Sequence, residues 1–376
     1  MAAYPKFKWP KRFNVINWAG MGYESTKSWS ELFEKDTGVK VHVAPEFDTV
    51  NRFRWLGMGM FQLTGGNHSE TSQMLMADRK YATRDGGPIP VRSVWVHSKN
   101  NSGFFMRGDC KMKTPYDIKP GTKMVHMTYV ANTRVVEGLL AWAKVKREEI
   151  DWIPANNSVE NYKLVLEGKA ELGFSFPNSP TMREAEKHPK GIKWMVLDAA
   201  RDPDGARRFQ TIDPLIRFGI IPEGGVKSAA GVPSTEGIVY EVTLATTDPA
   251  FVYNLAKWFD LNFKRIHKRH PDNTFKNRET LARGLRYTYI PCHEGLIEYL
   301  KELKIWTKAH DIRQKENTAL IERYRESYPK AIEQADDKQI VVDPKNPDWQ
   351  KFWAEYKKKL KIPDFKLFDD LPTAKR

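Results

Sequence analysis

Residues 45–63, PEFDTVNRFRWLGMGMFQL, lie without a gap over residues 154–172, PANNSVENYKLVLEGKAEL. Pro45 faces Pro154, Val50 faces Val159 and Leu63 faces Leu172, an offset of 109 residues from 45 to 154. Only Lys35/Lys144 and Gly59/Gly168 add further identities between 15 and 65, so identity is not the argument. The pattern is. In each stretch a capping residue, Thr49 or Ser158, opens a helix, an aromatic follows at Phe53 or Tyr162, and a glycine ends the helix before a strand.

Outward from this pair the alternation continues. A strand at FNVINWA (13–19), a turn GMGYES (20–25), a helix (26–38) and a strand VKVHVAP (39–45) precede the first copy. The strand TKMVHMTY, the turn Ala131-Asn132-Thr133-Arg134 and the helix RVVEGLLAWAKVK precede the second. Alternating periods of this kind predict an α/β fold with parallel strands and covering helices, here as two similar lobes. Ligands of open α/β sheets bind outside the carboxyl ends of the strands, so the expected cleft is lined by turns 19–25, 46–50, 129–134 and 155–158. Helix N-termini there favour an anion or carboxylate, and Arg134 adds a bidentate donor.

The candidate ligand-binding residues are therefore Gly22, Tyr23, Glu24, Thr49 and His68 in the first lobe. Asn132, Thr133, Arg134, Ser158 and Asn178 are those in the second. Tyr23 offers stacking or a hydroxyl. Glu24 suits a ligand ammonium, a cleft cation or solvent, and Thr49, Ser158 and Thr133 read as helix caps. Arg52 and Arg54 read as surface cations on a helix. Cys292-His293-Glu294 holds a nucleophile, a base and an acid, but adjacent residues rarely converge on one point, so His293 reads as structural. No Cys/His cluster has metal-ligand spacing, and neither metal nor cofactor is expected. The two cysteines, Cys110 and Cys292, leave pairing open.

The segment 200–237 reads as loop-rich, and IVYEVTLATTD after it as a strand returning to the first lobe. Beyond 308 the chain is charged and helical. There Trp349, Phe352, Trp353, Tyr356 and Leu360 form a stripe expected to dock on the protein's own body. The 376 residues, 40% hydrophobic and 29% charged, suit a globular chain of two domains. No run is apolar enough for a membrane span, and MAAYPKFKWPKRF lacks the apolar centre of a signal peptide. The net charge of +14 is spread along the chain without a nucleic-acid motif, so it reads as a solvated surface.

Several stretches resemble the TAXI-type extracytoplasmic solute receptors of TRAP transporters. VRSVWVHSKNNSGFFMRGDCKMKTPYDIKPGTKM is similar to that family's strand, turn and Asp-Leu-Lys-Gly-Lys passage. ANTR stands where the family has Gly-Ser-Gly-Thr-Arg, YKLVLEGKAELGFSFPNSP resembles its Gly-then-strand segment, and YIPCHEGLIEYLKELKIWT its ending. Gly20-Met21-Gly22-Tyr23-Glu24-Ser25 departs from the family's first turn, and the tail after 308 exceeds its usual end. The resemblance implies a type II periplasmic-binding fold with lobe 1 at 12–112 and 235–307, lobe 2 at 113–234 and a helical extension at 308–376. It also implies export by a signal peptide lacking here, periplasmic location, no enzymatic activity, a small organic anion or zwitterion as ligand, and an integral membrane TRAP permease as partner of a monomeric receptor. A two-domain α/β enzyme acting on a carboxylate is the alternative.

Overall fold

The computed structural model describes residues 4, 6–127, 130–365 and 367, with the side chains at 100 and 130–133 outside that description. The chain forms two compact units, one from Met1–Lys99 and Ile238–Arg376, the other from Asn100–Gly237. It runs through β1 (Arg12–Trp18), α1 (Met21–Thr37), β2 (Lys40–Glu46), α2 (Thr49–Gly57), β3 (Thr64–Gly66), α3 (His68–Leu75) and β4 (Val91–Arg107). Then follow β5 (Lys123–Met127), α4 (Val130–Ala143), β6 (Asp151–Ala155), α5 (Ser158–Leu166), β7 (Gly173–Ser175), α6 (Pro180–Glu186), β8 (Ile192–Trp194), α7 (Pro203–Ile212), β9 (Arg217–Ile220) and β10 (Pro233–Leu244). The return to the first unit continues through α8 (Pro249–Ile266), α9 (Arg278–Leu285), α10 (Glu294–Glu302), α11 (Lys308–Asp337) and α12 (Pro347–Lys359).

In the first unit β1 and β2 are parallel, Leu63 bridges to Val15 beside them, and β3 pairs antiparallel with β10. The second unit repeats this: β5 and β6 are parallel, Leu172 bridges to Met124, and β7 pairs antiparallel with β4. The register of the repeat is 109 residues from β1/β5 to β3/β7 and slips at the next helices, α3 starting at 68 and α6 at 180. Strands β1 and β5 end at 18 and 127, α1 and α4 begin at 21 and 130, and α2 spans 49–57 where α5 spans 158–166. The sheet bridges obey the same offset, Val15–Leu63 against Met124–Leu172.

Local chemistry sets these elements. Gly20, at φ +83°, turns the chain in one residue so that α1 starts at once, and Gly38 in the left-handed region ends it with its N–H on Glu34 O. The expected turns at 20–25 and 131–134 are thus first turns of helices: α1 begins at Met21, five residues before the start expected at Thr26, and α4 at Val130, four before Arg134. The caps also shift by one. Asp48 accepts from Val50 N and Asn51 N, and Asn157 from Val159 N and Glu160 N, so Thr49 and Ser158 are first helical residues instead of caps. In the segment expected to be loop-rich, Asp202 caps α7 through Gly205 N and Pro203 occupies the first helical position.

The first unit's core follows the periodicities. Phe13 and Val15 of β1 are buried, with Phe13 against Phe33, and Trp29, Phe33, Trp258 and Phe259 join α1 to α8 edge to face. Each such side chain withdrawn from water contributes roughly 1.5–3 kcal/mol. The second unit is built around Leu139, Trp142, Phe209 and Phe104, with a separate cluster around Phe105, Trp194 and Met182.

The tail belongs to the first unit. Trp349 and Trp353 are buried, their indole N–H groups donate to Ala82 O at 2.9 Å and Met76 O at 3.0 Å, and the Tyr328 hydroxyl donates to Thr83 O at 2.8 Å. Beside the implied bounds of 12–112 with 235–307, the changes of unit at 99/100 and 237/238 fall inside β4 and β10. A strand long enough to pair in both units leaves no loop at which the sequence changes character.

Candidate functional site

In the first unit the candidates gather at the carboxyl end of β1. Gly22, Tyr23 and Glu24 form the first turn of α1, where Gly22 is buried, Tyr23 half-buried and Glu24 exposed, 3.9 Å from the His270 ring. Trp18, half-buried, lies across this end. A Cβ on Gly22 would come within 2.5 Å of its indole and one on Gly65 within 2.1 Å, so both glycines are required by the close approach. Asn17 beneath it is fully buried and donates to Thr26 Oγ1 at 2.9 Å, tying strand to helix. Thr49 is buried at the start of α2. His68 begins α3, but its ring is buried against Tyr240 and Tyr289 and lies 3.2 Å from Thr288 Oγ1.

In the second unit the backbone of 130–133 forms the first turn of α4, and the side chains of Asn132 and Thr133 lie outside the described residues. The 109-residue register sets Asn132 opposite Tyr23 and Thr133 opposite Glu24. Arg134 is half-buried on the same helix, Ser158 is exposed at the start of α5, and Asn178, half-buried, accepts from Arg183 through its backbone carbonyl at 2.9 Å.

Below Trp18 lies a set of buried charges that periodicity did not reveal. Arg52, expected on the surface, is fully buried: it reaches Glu70 at 2.6 Å and Gly65 O at 2.5 Å, with its guanidinium 5.2 Å from the Trp18 ring. Arg54, likewise expected outside, is partly covered and pairs with Asp85 at 2.9 Å. The His97 ring meets Trp18 edge-on, and its Nδ1 lies 2.8 Å from Glu241 Oε1, which also takes Lys276 Nζ at 2.5 Å. All three side chains are fully buried. Burial, and then the Lys276 ammonium, push the His97 pKa down, so the ring is neutral and its Nδ1–H donates. Burial alone would raise the Glu241 carboxyl; Lys276 and His97 outweigh it and hold it ionised.

The Cys292-His293-Glu294 stretch has no catalytic geometry. Burial pushes the Cys292 thiol up to about 12, and His293 Nδ1 caps α10 by accepting from Gly295 N at 3.2 Å. Glu294 is exposed. Cys110 and Cys292 are both free thiols. No group of His, Cys, Asp and Glu among the described residues is arranged to hold a metal ion. Trp18, at the end of an apolar strand just before Gly20-Met21-Gly22, was the one local sign of this region.

No protein-family model matches the chain. No curated protein matches it in sequence. Among solved structures it is similar to the periplasmic aliphatic sulphonate binding protein SsuA from Escherichia coli, at 11% identity over 84% of this chain and 88% of that one, with a TM-score of 0.46. It is also similar to XAC2383 from Xanthomonas citri bound to chloride ion, at 9% identity over 84% and 99%, with a TM-score of 0.47. A third likeness is to the periplasmic VFT2 domain of Bordetella pertussis BvgS, at 12% identity over 69% and 92%, with a TM-score of 0.40.

Proposed function

We propose that this chain is an extracytoplasmic solute-binding receptor, which captures a small carboxylate or amino acid and hands it to an integral membrane permease of the TRAP type. The observation that carries the reading is the structural repeat. It provides two equivalent helix N-termini, those of α1 and α4, each directly after a parallel strand. First-turn N–H groups and the helix dipole favour the carboxylate of a ligand at such a position. Tyr23, Glu24 and Thr49 serve recognition in the first unit, and Asn132, Thr133, Arg134 and Ser158 in the second. Glu24 takes the ammonium of a zwitterionic solute. The role requires no bond-making, and it is exercised outside the cytoplasm.

The test is a thermal-shift screen against dicarboxylates, keto acids, aromatic acids and amino acids. The protein is first unfolded and refolded to strip any solute retained from expression. A ligand held by the native state alone raises the midpoint according to its saturation. The expected result is a shift with one class of acid, and, for amino acids, its loss in Glu24→Gln. A stripped protein that responds to none of these classes overturns the reading.

A further inference from the structure

One face of the first unit lies outside the proposed recognition positions and carries its own chemistry. In the parallel pair β1–β2, Arg12 stands beside Lys40 and Asn14 beside His42. Residues two apart in a strand share a face, so these four point the same way, opposite to buried Phe13 and Val15. On this face Asn14 Nδ2 donates to Met60 O at 3.2 Å, and the His42 ring stacks on Phe61, which stacks in turn on Trp55. Met58 and Met60 beside them are 63% and 54% exposed. Arg12 and Lys40, both exposed, are one pleat away, about 7 Å along the strands. Among the described residues neither has an ion-pair partner.

We propose that this face docks on an anionic lipid surface. Charge complementarity selects the occupant. Unpaired cations border an unbranched and aromatic apolar group, the combination that settles at a headgroup boundary, with cations on the phosphates and methionine and aromatic side chains in the acyl margin. The one acidic side chain of β2 that shares this face, Glu46, stands three pleats from Lys40. Glu46 and Asp48, at the far end of β2, are engaged locally, Glu46 accepting from Asp48 N and Asp48 capping α2. Asp85 is paired with Arg54. The chain's net charge of +14 adds long-range attraction in the same sense.

The test is co-sedimentation of the full chain with vesicles of phosphatidylglycerol and phosphatidylcholine, against vesicles of phosphatidylcholine alone. The variants are Arg12→Glu with Lys40→Glu, and Met58→Ser with Met60→Ser, each checked for an unchanged urea midpoint because all four side chains are exposed. The expected result is binding to anionic vesicles only, weakened by salt. Removing a cation near such a surface costs roughly fivefold, so the charge-reversal pair loses more than about tenfold. The serine pair loses binding at high salt first. No binding to anionic vesicles, or binding that neither pair reduces, overturns the proposal. So does self-association that the serine pair abolishes, or equal retention on soluble polyglutamate, which would assign the face to a second copy or to an acidic protein.

Discussion

Glu241 Oε1 lies 2.5 Å from Lys276 Nζ, and neither side chain reaches solvent. Breaking such a pair leaves an uncompensated charge in the interior, at a cost of about 3–5 kcal/mol. Glu241→Ala is expected to lower unfolding stability by that amount, and Glu241→Gln with Lys276→Met to recover most of it. Urea unfolding of the two variants measures both, and a double variant no more stable than Glu241→Ala would show that the charges do not depend on one another.

Acid is expected to destabilise the fold in two stages. His97 and His293 have folded pKa values below the ordinary 6.5, chiefly through burial, His293 at about 4. Between the folded and unfolded values the unfolded chain binds the extra proton, so stability is full above about pH 6.5 and falls below it. Each histidine contributes at most about 1.4 kcal/mol per pH unit. The lowered pKa of Glu241 adds a second loss as pH falls below its unfolded value near 4.5. Urea midpoints from pH 7.5 to 4 follow the first stage, and His97→Gln should flatten it.

Gly65→Ala is expected to destabilise by about 1–3 kcal/mol, because the new methyl meets the Trp18 ring. In a Trp18→Ala background the same change should cost far less. The coupling in a double-mutant cycle is the measurement, and an unchanged cost would place the clash elsewhere.

Asp48→Ala and Asn157→Ala should each cost about 1 kcal/mol, the ordinary worth of a helix cap. Ser158→Ala should fall within about 0.5 kcal/mol, since the exposed hydroxyl caps nothing. A reversed order between Asn157 and Ser158 would restore the cap to position 158.

Removal of 308–376 should lower the melting temperature and expose apolar surface, because Trp349 and Trp353 are buried and hydrogen-bonded to the 76–82 segment. Trp349→Ala alone should cost about 3–5 kcal/mol by unfolding.

Comparison of particular residues shows where sequence reading ends. The 109-residue register was legible from Pro45/Pro154 and Gly59/Gly168, and the paired elements from β1/β5 to β3/β7 keep it, while α3 and α6 after them do not. The tail's stripe was legible from its spacing, and its buried members meet the same unit. Cap positions missed by one residue, since Asp-Thr and Asn-Ser each offer two competent oxygens and only backbone geometry selects between them. Arg52 misled because a helical arginine gives no local sign of a glutamate 18 residues on.

Composition and periodicity by themselves determined the α/β class, the internal repeat, its register and the amphipathic tail. These depend on contacts within a turn of helix or along one strand, where neighbours in the chain are neighbours in space. Only the tertiary structure decided that Arg52 is buried against Glu70, that Trp18 closes over Gly22 and Gly65, and that His97, Glu241 and Lys276 meet. Those last partners stand 144 and 35 residues apart in the chain, and burial lets a charge persist only where its partner is delivered by the fold.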